Sequence, residues 1–169
     1  ACLKLYMQNK ILGTMIHAVK NTFKLRKKEA EIIKKYSSCC IDTSDGVLNA
    51  INTISEMSGT GYELKSLPYI KNGVVAANLL SLPKRLLFLG EAGEYELLFT
   101  VKRELEEEFE SEAKQQGLHF YKIGHVTEAN VKILHEAGNT FDLKSFDIRA
   151  RDFNHVKDYL NRLIEFVKG

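Results

Sequence analysis

Four consecutive residues, Asp42-Thr43-Ser44-Asp45, carry the side chains of this chain that are best suited to chemistry, and Gly46 follows them. Two carboxylates three residues apart could hold hydrated Mg²⁺, which takes one or two carboxylates together with substrate phosphates. Ser44 can donate to a phosphate oxygen, and Gly46 lets a ligand or another backbone approach closely. A second interpretation stays open, because Ser and Asp are also preferred residues at the start of a helix.

The residues on either side of this run predict a strand that leads into a helix. Ser38 to Ile41 form a short apolar run, which predicts a buried strand, and Val47, Ile51 and Ile54 follow at helical spacing. The helix is expected to end near Ser58-Gly59-Thr60-Gly61, because glycine adopts the left-handed conformation of a C-terminal cap. The free N–H groups at the start of this helix would then lie beside the acidic run, where the helix dipole favours an anion.

The rest of the chain alternates helices and strands irregularly. Apolar spacing predicts helices at residues 12–19, 74–80, 102–116 and 156–167, and strands at 62–67, 95–101, 119–123 and 130–134. The last two strands are expected to be joined by a tight connection. This order favours an α+β fold, with layered helices packed on a mixed sheet, over a doubly wound parallel fold. No GxGxxG motif follows a strand and no P-loop occurs, so any nucleotide would be bound by another route.

The composition is that of an ordinary single domain. The chain has 169 residues and a formal net charge of only +2, so no basic field points to nucleic acid. No apolar stretch approaches the ~18 residues that span a bilayer, and the N-terminus lacks the pattern of a signal peptide, so we expect a cytoplasmic protein. Cys2, Cys39 and Cys40 are expected to be buried, reduced thiols. The basic stretch from Lys24 to Lys35 is expected to be a solvated helix face, with phosphate or nucleic-acid binding as the alternative.

Three short motifs resemble those of the thiamine-monophosphate kinase family, in the same order. Ile41-Asp42-Thr43-Ser44-Asp45-Gly46-Val47 resembles the family's Asp-Ile-Ser-Asp-Gly-Leu motif. Gly93-Glu94-Tyr95-Glu96-Leu97-Leu98-Phe99-Thr100 resembles its Gly-Glu-Asp-Tyr-Glu-Leu-x-Phe-Thr motif, and Ser58-Gly59-Thr60-Gly61 is similar to its Ser-Gly-x-Gly. The wider superfamily includes aminoimidazole ribonucleotide synthase, selenophosphate synthetase and a hydrogenase maturation factor.

The resemblance implies an enzyme that transfers the γ-phosphate of ATP to thiamine monophosphate. Phosphoryl transfer of this kind needs mainly positioning and charge neutralisation. By analogy with the family, Asp42 and Asp45 would be the catalytic carboxylates that ligate Mg²⁺. Ser44, with Thr43 and Gly46 beside it, would contact the nucleotide phosphates.

The resemblance also implies where the substrate would bind. The acidic motif before the strand would contribute Glu94, Tyr95 and Glu96. Phe153, in Phe153-Asn154-His155, is similar to the family's late aromatic-Asp-His and would stack on a thiamine ring. A plain core position for Phe153 is the alternative.

The resemblance places the chain in a larger protein. Residues 1–36 would be an N-terminal helical segment and residues 37–169 the family-like core of a single C-terminal domain. The family's N-terminal domain, which supplies much of the ATP site, further metal-binding acids and the dimer interface, is absent. The expected partners are therefore that N-terminal domain, ATP, a phosphorylated small molecule such as thiamine monophosphate, and a second copy in the full-length homodimer, but neither nucleic acid nor membrane.

The sequence departs from the family pattern at one place. Aligned on Tyr95-Glu96-Leu97, the family's Glu-Asp pair becomes Gly93-Glu94 here. Glu91 or Glu94 would take over its role, or the substrate would differ. Two other functions therefore stay open: another ATP-dependent enzyme of the same superfamily, acting on an aminoimidazole precursor or a carbamoyl-type group, and a non-catalytic binding or assembly domain.

Overall fold

A computed structural model describes residues 25–91 and 95–168 of the chain. Within these residues lie six α-helices and six β-strands, and short 3₁₀ turns at Arg103–Leu105 and Ala150–Asp152. In chain order the elements are α1 (Lys27–Tyr36), β1 (Ser37–Asp42), α2 (Val47–Ser58), β2 (Gly61–Leu64), α3 (Lys71–Leu79), α4 (Leu86–Leu89), β3 (Leu97–Val101), α5 (Glu106–Gln115), β4 (Gly124–Thr127), β5 (Lys132–Glu136), β6 (Asn139–Asp142) and α6 (Val156–Lys168).

The strands form two sheets. β1 and β3 pair antiparallel, with Ser37 opposite Val101 and Asp42 opposite Leu97. The larger sheet has the strand order β4-β2-β5-β6, in which β2 and β5 are parallel and the other two pairings are antiparallel. Helices packed on a mixed sheet are the α+β fold that the sequence predicted, so that prediction is confirmed.

The main core lies between the four-stranded sheet and the helices α2, α4 and α6. Tyr62 and Leu64 are two residues apart on β2 and therefore point to the same face, where each is 3% exposed. The other buried members of this core are Leu48, Ile51, Leu86, Phe88, Leu89, Leu134, Leu143, Ile148, Tyr159 and Leu163. Burying one such side chain contributes about 1.5–3 kcal/mol. The helix that begins after the acidic run is thereby held firmly against the sheet.

A smaller core holds α1 against α5 and β3. The ring centroid of Phe109 lies 5.8 Å from that of Tyr36 and 5.6 Å from that of Phe99. The Tyr36 hydroxyl donates to the Glu112 carboxylate at 2.6 Å, and Lys35 Nζ lies 2.6 Å from the same carboxylate. The part of the basic stretch from Lys27 to Lys35 therefore lies on an amphipathic helix, α1, and some of its charge is paired inside the chain.

Two glycines shape the turn between α2 and β2. Gly59 has a φ of +65° and ends α2 in the left-handed conformation that the sequence predicted. A Cβ atom on Gly61 would lie 2.2 Å from the Ala129 carbonyl oxygen and 2.3 Å from that of Val131. No side chain fits there, because β2 passes directly against the backbone that precedes β5.

The burial predicted for the first strand is wrong. The strand is present, but Ser38, Cys39 and Cys40 are all exposed. In the described part of the chain β1 pairs with β3 alone, so its second edge carries no strand. The expectation of buried thiols is therefore also wrong for Cys39 and Cys40, while Cys2 lies outside the described residues.

The pairing predicted for the two late strands is wrong as well. The predicted strand at residues 119–123 is not one, and β4 begins only at Gly124. β4 and β5 lie on opposite sides of β2, and the hairpin of this region joins β5 to β6 instead. Phe120 and Ile123 pack against the smaller and the main core without joining a sheet, which explains their strand-like spacing.

Two further sequence-based expectations concern helices. The helix predicted at residues 12–19 lies outside the described residues. Among the helices at 25–91 and 95–168, none is long and apolar enough to cross a membrane.

Candidate functional site

The acidic run and the motif before β3 lie side by side. The Thr43 backbone N–H donates to the Glu96 carbonyl oxygen at 3.0 Å, and the Glu96 backbone N–H donates to Thr43 Oγ1 at 3.1 Å. Thr43 is only 3% exposed. It thus links two motifs that are 53 residues apart in sequence, whereas its predicted contact with nucleotide stays a prediction.

The carboxylate of Asp42 is held by a hydrogen bond from Ser44. Asp42 Oδ1 accepts a hydrogen bond from the Ser44 backbone N–H at 2.9 Å. Hydrogen bonds from the Ser44 side chain and backbone hold the pKa of Asp42 below its usual value. Asp42 and Asp45 are both exposed, so the turn presents an ionised carboxylate and a second acidic side chain to the solvent.

The turn into α2 depends on the backbone of Gly46. Gly46 has a φ of +95° and a ψ of +151° and is the N-cap residue of α2. Residues other than glycine almost never adopt this conformation. No side chain of the described residues caps this first turn, so the interpretation of Ser44 or Asp45 as a simple helix cap does not hold. Within the described residues, the N–H groups that begin α2 therefore have no side-chain cap beside the two acids.

Glu96, predicted as a substrate ligand, is paired with an arginine in this structure. Arg26 Nε donates to Glu96 Oε2 at 2.9 Å, and Arg26 Nη2 donates to Glu96 Oε1 at 2.5 Å. A third guanidinium nitrogen, Nη1, donates to Glu29 at 3.0 Å. Arg26 lies just before α1, so this bidentate pair joins the basic stretch to the candidate site.

Tyr95 occupies a strained backbone conformation next to Glu96. Its φ is +53°, and its side chain is 58% exposed. A positive φ costs an ordinary residue about 1–2 kcal/mol, and such residues cluster at functional sites. Glu94 lies outside the described residues, so its role as a substrate ligand stays a prediction.

Phe153 is half-buried and packs on α6. Its ring centroid lies 5.7 Å from that of Tyr159, which is 1% exposed. The Tyr159 hydroxyl oxygen accepts a hydrogen bond from the Glu91 backbone N–H at 2.8 Å. The aromatic predicted to meet the substrate therefore lies near the start of the segment that carries Tyr95 and Glu96, on the edge of the core.

A shallow cleft beside the start of α2 completes the site. Its lining includes Asp45, Gly46, Asn49, Glu91 and Phe146. Sequence reasoning missed Asn49, which gave no signal because it lies inside a helix. It named Glu91 only as a substitute acid, although both of its carboxylate oxygens accept hydrogen bonds from within the chain.

The acidic residues fit only part of a magnesium site. In the described ranges no three His, Cys, Asp or Glu side chains are grouped so that they could hold a metal ion. Mg²⁺ commonly uses one or two carboxylates and fills its remaining positions with waters and phosphate oxygens. Asp42 and Asp45 are exposed, and the low pKa of Asp42 keeps it ionised, so the pair fits that partial role.

A family of known proteins matches most of the chain. The family described as AIR synthase related protein, C-terminal domain, matches residues 15–136. None of the curated proteins matches the chain in sequence.

Solved structures share this fold. The hydrogenase maturation protein HypE from E. coli has a TM-score of 0.58 and 21% identity, covering 72% of this chain and 40% of its own. AaThiL complexed with AMPPCP and TMP has a TM-score of 0.55 and 20% identity, covering 76% and 43%. Thiamine monophosphate kinase from Aquifex aeolicus has a TM-score of 0.52 and 19% identity, covering 73% and 44%. This chain therefore spans less than half the length of each of these structures.

Proposed function

This chain belongs to the family of C-terminal domains of AIR synthase related proteins, and from that premise we propose that it forms part of an ATP-dependent kinase acting on thiamine monophosphate. One observation carries the proposal. The pair of hydrogen bonds between Thr43 and Glu96 holds the acidic turn beside the segment before β3, which supports a single site made of the phosphate-binding and the substrate-binding candidates.

The acidic turn would serve the phosphate side of the reaction. Mg²⁺, when bound, supplies charge neutralisation on the phosphates, and Asp42 and Asp45 are the residues that would hold it. The Ser44 hydroxyl and the N–H groups at the start of α2, which no described side chain caps, are donors suited to phosphate oxygens. The unusual backbone of Gly46 lets the chain turn sharply between the acids and the helix, which keeps these groups together.

The segment before β3 would serve the substrate side. Tyr95 offers an exposed ring for stacking on a heteroaromatic ring, and Glu96 offers a carboxylate that Arg26 holds in place. Glu94 and Phe153 would add further contacts to the substrate. The choice of thiamine monophosphate is supported by the sequence motifs and by AaThiL, a protein of the same fold that binds TMP and AMPPCP.

The remainder of the active site would come from outside this chain. Residues 1–169 would form the C-terminal domain, and an N-terminal domain of the same protein would hold most of the ATP and further metal ligands. The full-length protein would be a cytoplasmic homodimer. The partial coverage of AaThiL and its relatives supports this division.

A second function rests on the departure at Gly93-Glu94, where the family's acid pair is not reproduced in register. The chain would then belong to another ATP-dependent enzyme of the superfamily, one related to hydrogenase maturation or to aminoimidazole ribonucleotide synthesis. A non-catalytic assembly domain would keep the fold without either chemistry. These possibilities differ in what the acidic turn does and in which phosphorylated molecule binds.

Replacing Asp45 in the full-length protein tests whether the turn takes part in catalysis. We expect D45N to lower Mg-ATP turnover by on the order of 100-fold or more while the protein stays folded, because a charge that positions phosphate is lost. Asp142 serves as the control, since it is also an exposed carboxylate but lies at the end of β6, outside the candidate site, where it accepts the Lys144 N–H at 2.8 Å. Normal turnover in D45N as well as in D142N would support the assembly domain.

Substrate identity needs a separate measurement. Ligands that bind the folded state raise the melting temperature, and at equal concentration the ligand with the lower Kd raises it more. We expect thiamine monophosphate to stabilise the full-length protein more than other phosphorylated metabolites do. Equal or greater stabilisation by an aminoimidazole ribonucleotide or by carbamoyl phosphate would overturn the assignment of the substrate.

A further inference from the structure

Glu91 joins three separate parts of the chain at the edge of the candidate site. Its Oε1 accepts a hydrogen bond from Asn49 Nδ2 at 3.4 Å, and its Oε2 accepts one from the Ala150 backbone N–H at 3.0 Å. Its own backbone N–H donates to the Tyr159 hydroxyl at 2.8 Å. The partners belong to α2, to the 3₁₀ turn and to α6, which are 42 to 68 residues away in sequence.

Asn49 connects Glu91 to the acidic turn. The same side-chain nitrogen that donates to Glu91 also donates to the Asp45 carbonyl oxygen at 2.9 Å. The backbone that carries the Asp45 carboxylate is thereby tied to Glu91 through one amide group. A carboxylate offers two acceptor atoms and no donor, so each of its oxygens can accept from an N–H donor that arrives from a different element.

The two ends of the segment between Glu91 and Glu96 are thus attached to the same turn. Glu91 is attached through Asn49, and Glu96 is attached through Thr43. We infer that Asn49 and Glu91 form a positioning pair, which fixes the substrate-binding segment relative to the acidic turn. The inference rests on the proposed phosphoryl transfer and adds that the Glu91 carboxylate serves the fold of the site rather than the substrate.

Two variants remove the pair without leaving a large cavity. E91Q keeps the shape of the side chain but brings an amide N–H group against either Asn49 or the Ala150 N–H, because glutamine has one acceptor oxygen. N49A removes the amide that spans Asp45 and Glu91. In the full-length enzyme with saturating Mg-ATP and thiamine monophosphate, we expect each to lower kcat by about 10- to 100-fold, because small displacements of reacting groups have effects of that size.

The double variant shows whether Asn49 and Glu91 act together or independently. If Asn49 and Glu91 act together, E91Q/N49A is no slower than the slower single variant. E136Q is the matched control, because Glu136 is also a half-buried carboxylate bound by Tyr69 and Arg85, yet it lies on β5 outside the candidate site. We expect E136Q to lower thermal stability and to leave kcat unchanged.

Additive losses of kcat in the double variant would overturn the inference. A rise in KM for thiamine monophosphate with normal kcat would also overturn it, because Glu91 would then be a substrate ligand.

If the wild-type protein does not phosphorylate thiamine monophosphate, the proposed function fails but the positioning pair can still be tested. The same variants are then compared for Mg²⁺-dependent binding of AMPPCP by calorimetry. Weaker binding by at least about fivefold in both singles, with no further loss in the double, would support the pair, and wild-type affinity in the singles would refute it.

Discussion

At the scale of single residues, the hydrogen bonds between Ser44 and Asp42 lower the pKa of the Asp42 carboxyl group, and this shift can be measured. Ser44 lowers the pKa of Asp42 through its side chain first and its backbone second. S44A leaves only the backbone donor, so we expect the Asp42 pKa to rise towards its ordinary value. A pH titration of the Asp42 carboxyl carbon by NMR measures this directly, and an unchanged pKa would show that the hydroxyl does not bond to the carboxylate.

The sign of the linked effect on stability follows from the same contact. Because the folded-state pKa of Asp42 lies below the unfolded value, its stabilising contribution is present above the unfolded pKa. It is lost as the pH falls through the folded pKa. S44A should therefore remove stability above the unfolded pKa and leave stability at strongly acidic pH unchanged. S38A is a suitable control, since Ser38 pairs with Thr100 on the exposed part of β1 and not with an acid.

At the scale of the secondary-structure elements, the connection from β1 to α2 depends on the backbone conformation of Gly46. Its φ of +95° and ψ of +151° belong to a region that is essentially restricted to glycine. We expect G46A to lower the free energy of unfolding by about 1–3 kcal/mol. Gly117 is the matched comparison, because its φ of +67° lies in the left-handed region that other residues reach and no atom lies within 4 Å of an added Cβ. Denaturant unfolding should show a smaller loss for G117A, and equal losses would contradict this reason.

Sequence predicted those elements whose signals are local. The spacing of Val47, Ile51 and Ile54 and the cap at Gly59 located α2 correctly, because a helix and its end are determined within a few residues. The exposure of β1 and the pairing of β4 with β2 were not predictable in this way. Which strands become neighbours depends on contacts between residues far apart in sequence.

The same difference between local signals and long-range contacts decides which parts of the candidate site the sequence predicted. The run from Asp42 to Asp45 was found from its residue types and spacing. The contacts of Glu96 with Arg26 and of Glu91 with Asn49 span 70 and 42 residues and left no pattern in the sequence. The sequence predicts Glu96 as a substrate ligand but gives no sign of the guanidinium that binds it in the structure.

At the scale of the whole molecule, the main core and the smaller core lie on either side of the candidate site. The main core fixes α2, α6 and the four-stranded sheet, and the smaller core fixes α1, α5 and β3. The acidic turn follows β1 and opens α2, and the segment of Tyr95 and Glu96 opens β3. The candidate site is therefore built where the two cores meet, with its acids directed to the solvent.

That exposed position leads to a prediction for the isolated chain. In the described residues the two carboxylates of the acidic turn supply only part of a metal site, and the chain covers only 40–44% of these solved structures of the same fold. We expect the purified 169-residue chain to unfold cooperatively but to convert thiamine monophosphate at least about 100-fold more slowly than the full-length protein, because the proposed N-terminal domain would be needed to position the nucleotide. An ATP-dependent assay of both proteins at equal concentration measures the difference. Adding the N-terminal domain in trans should restore part of the rate, whereas robust turnover by the isolated chain would show that its acidic turn needs no second domain to hold the nucleotide.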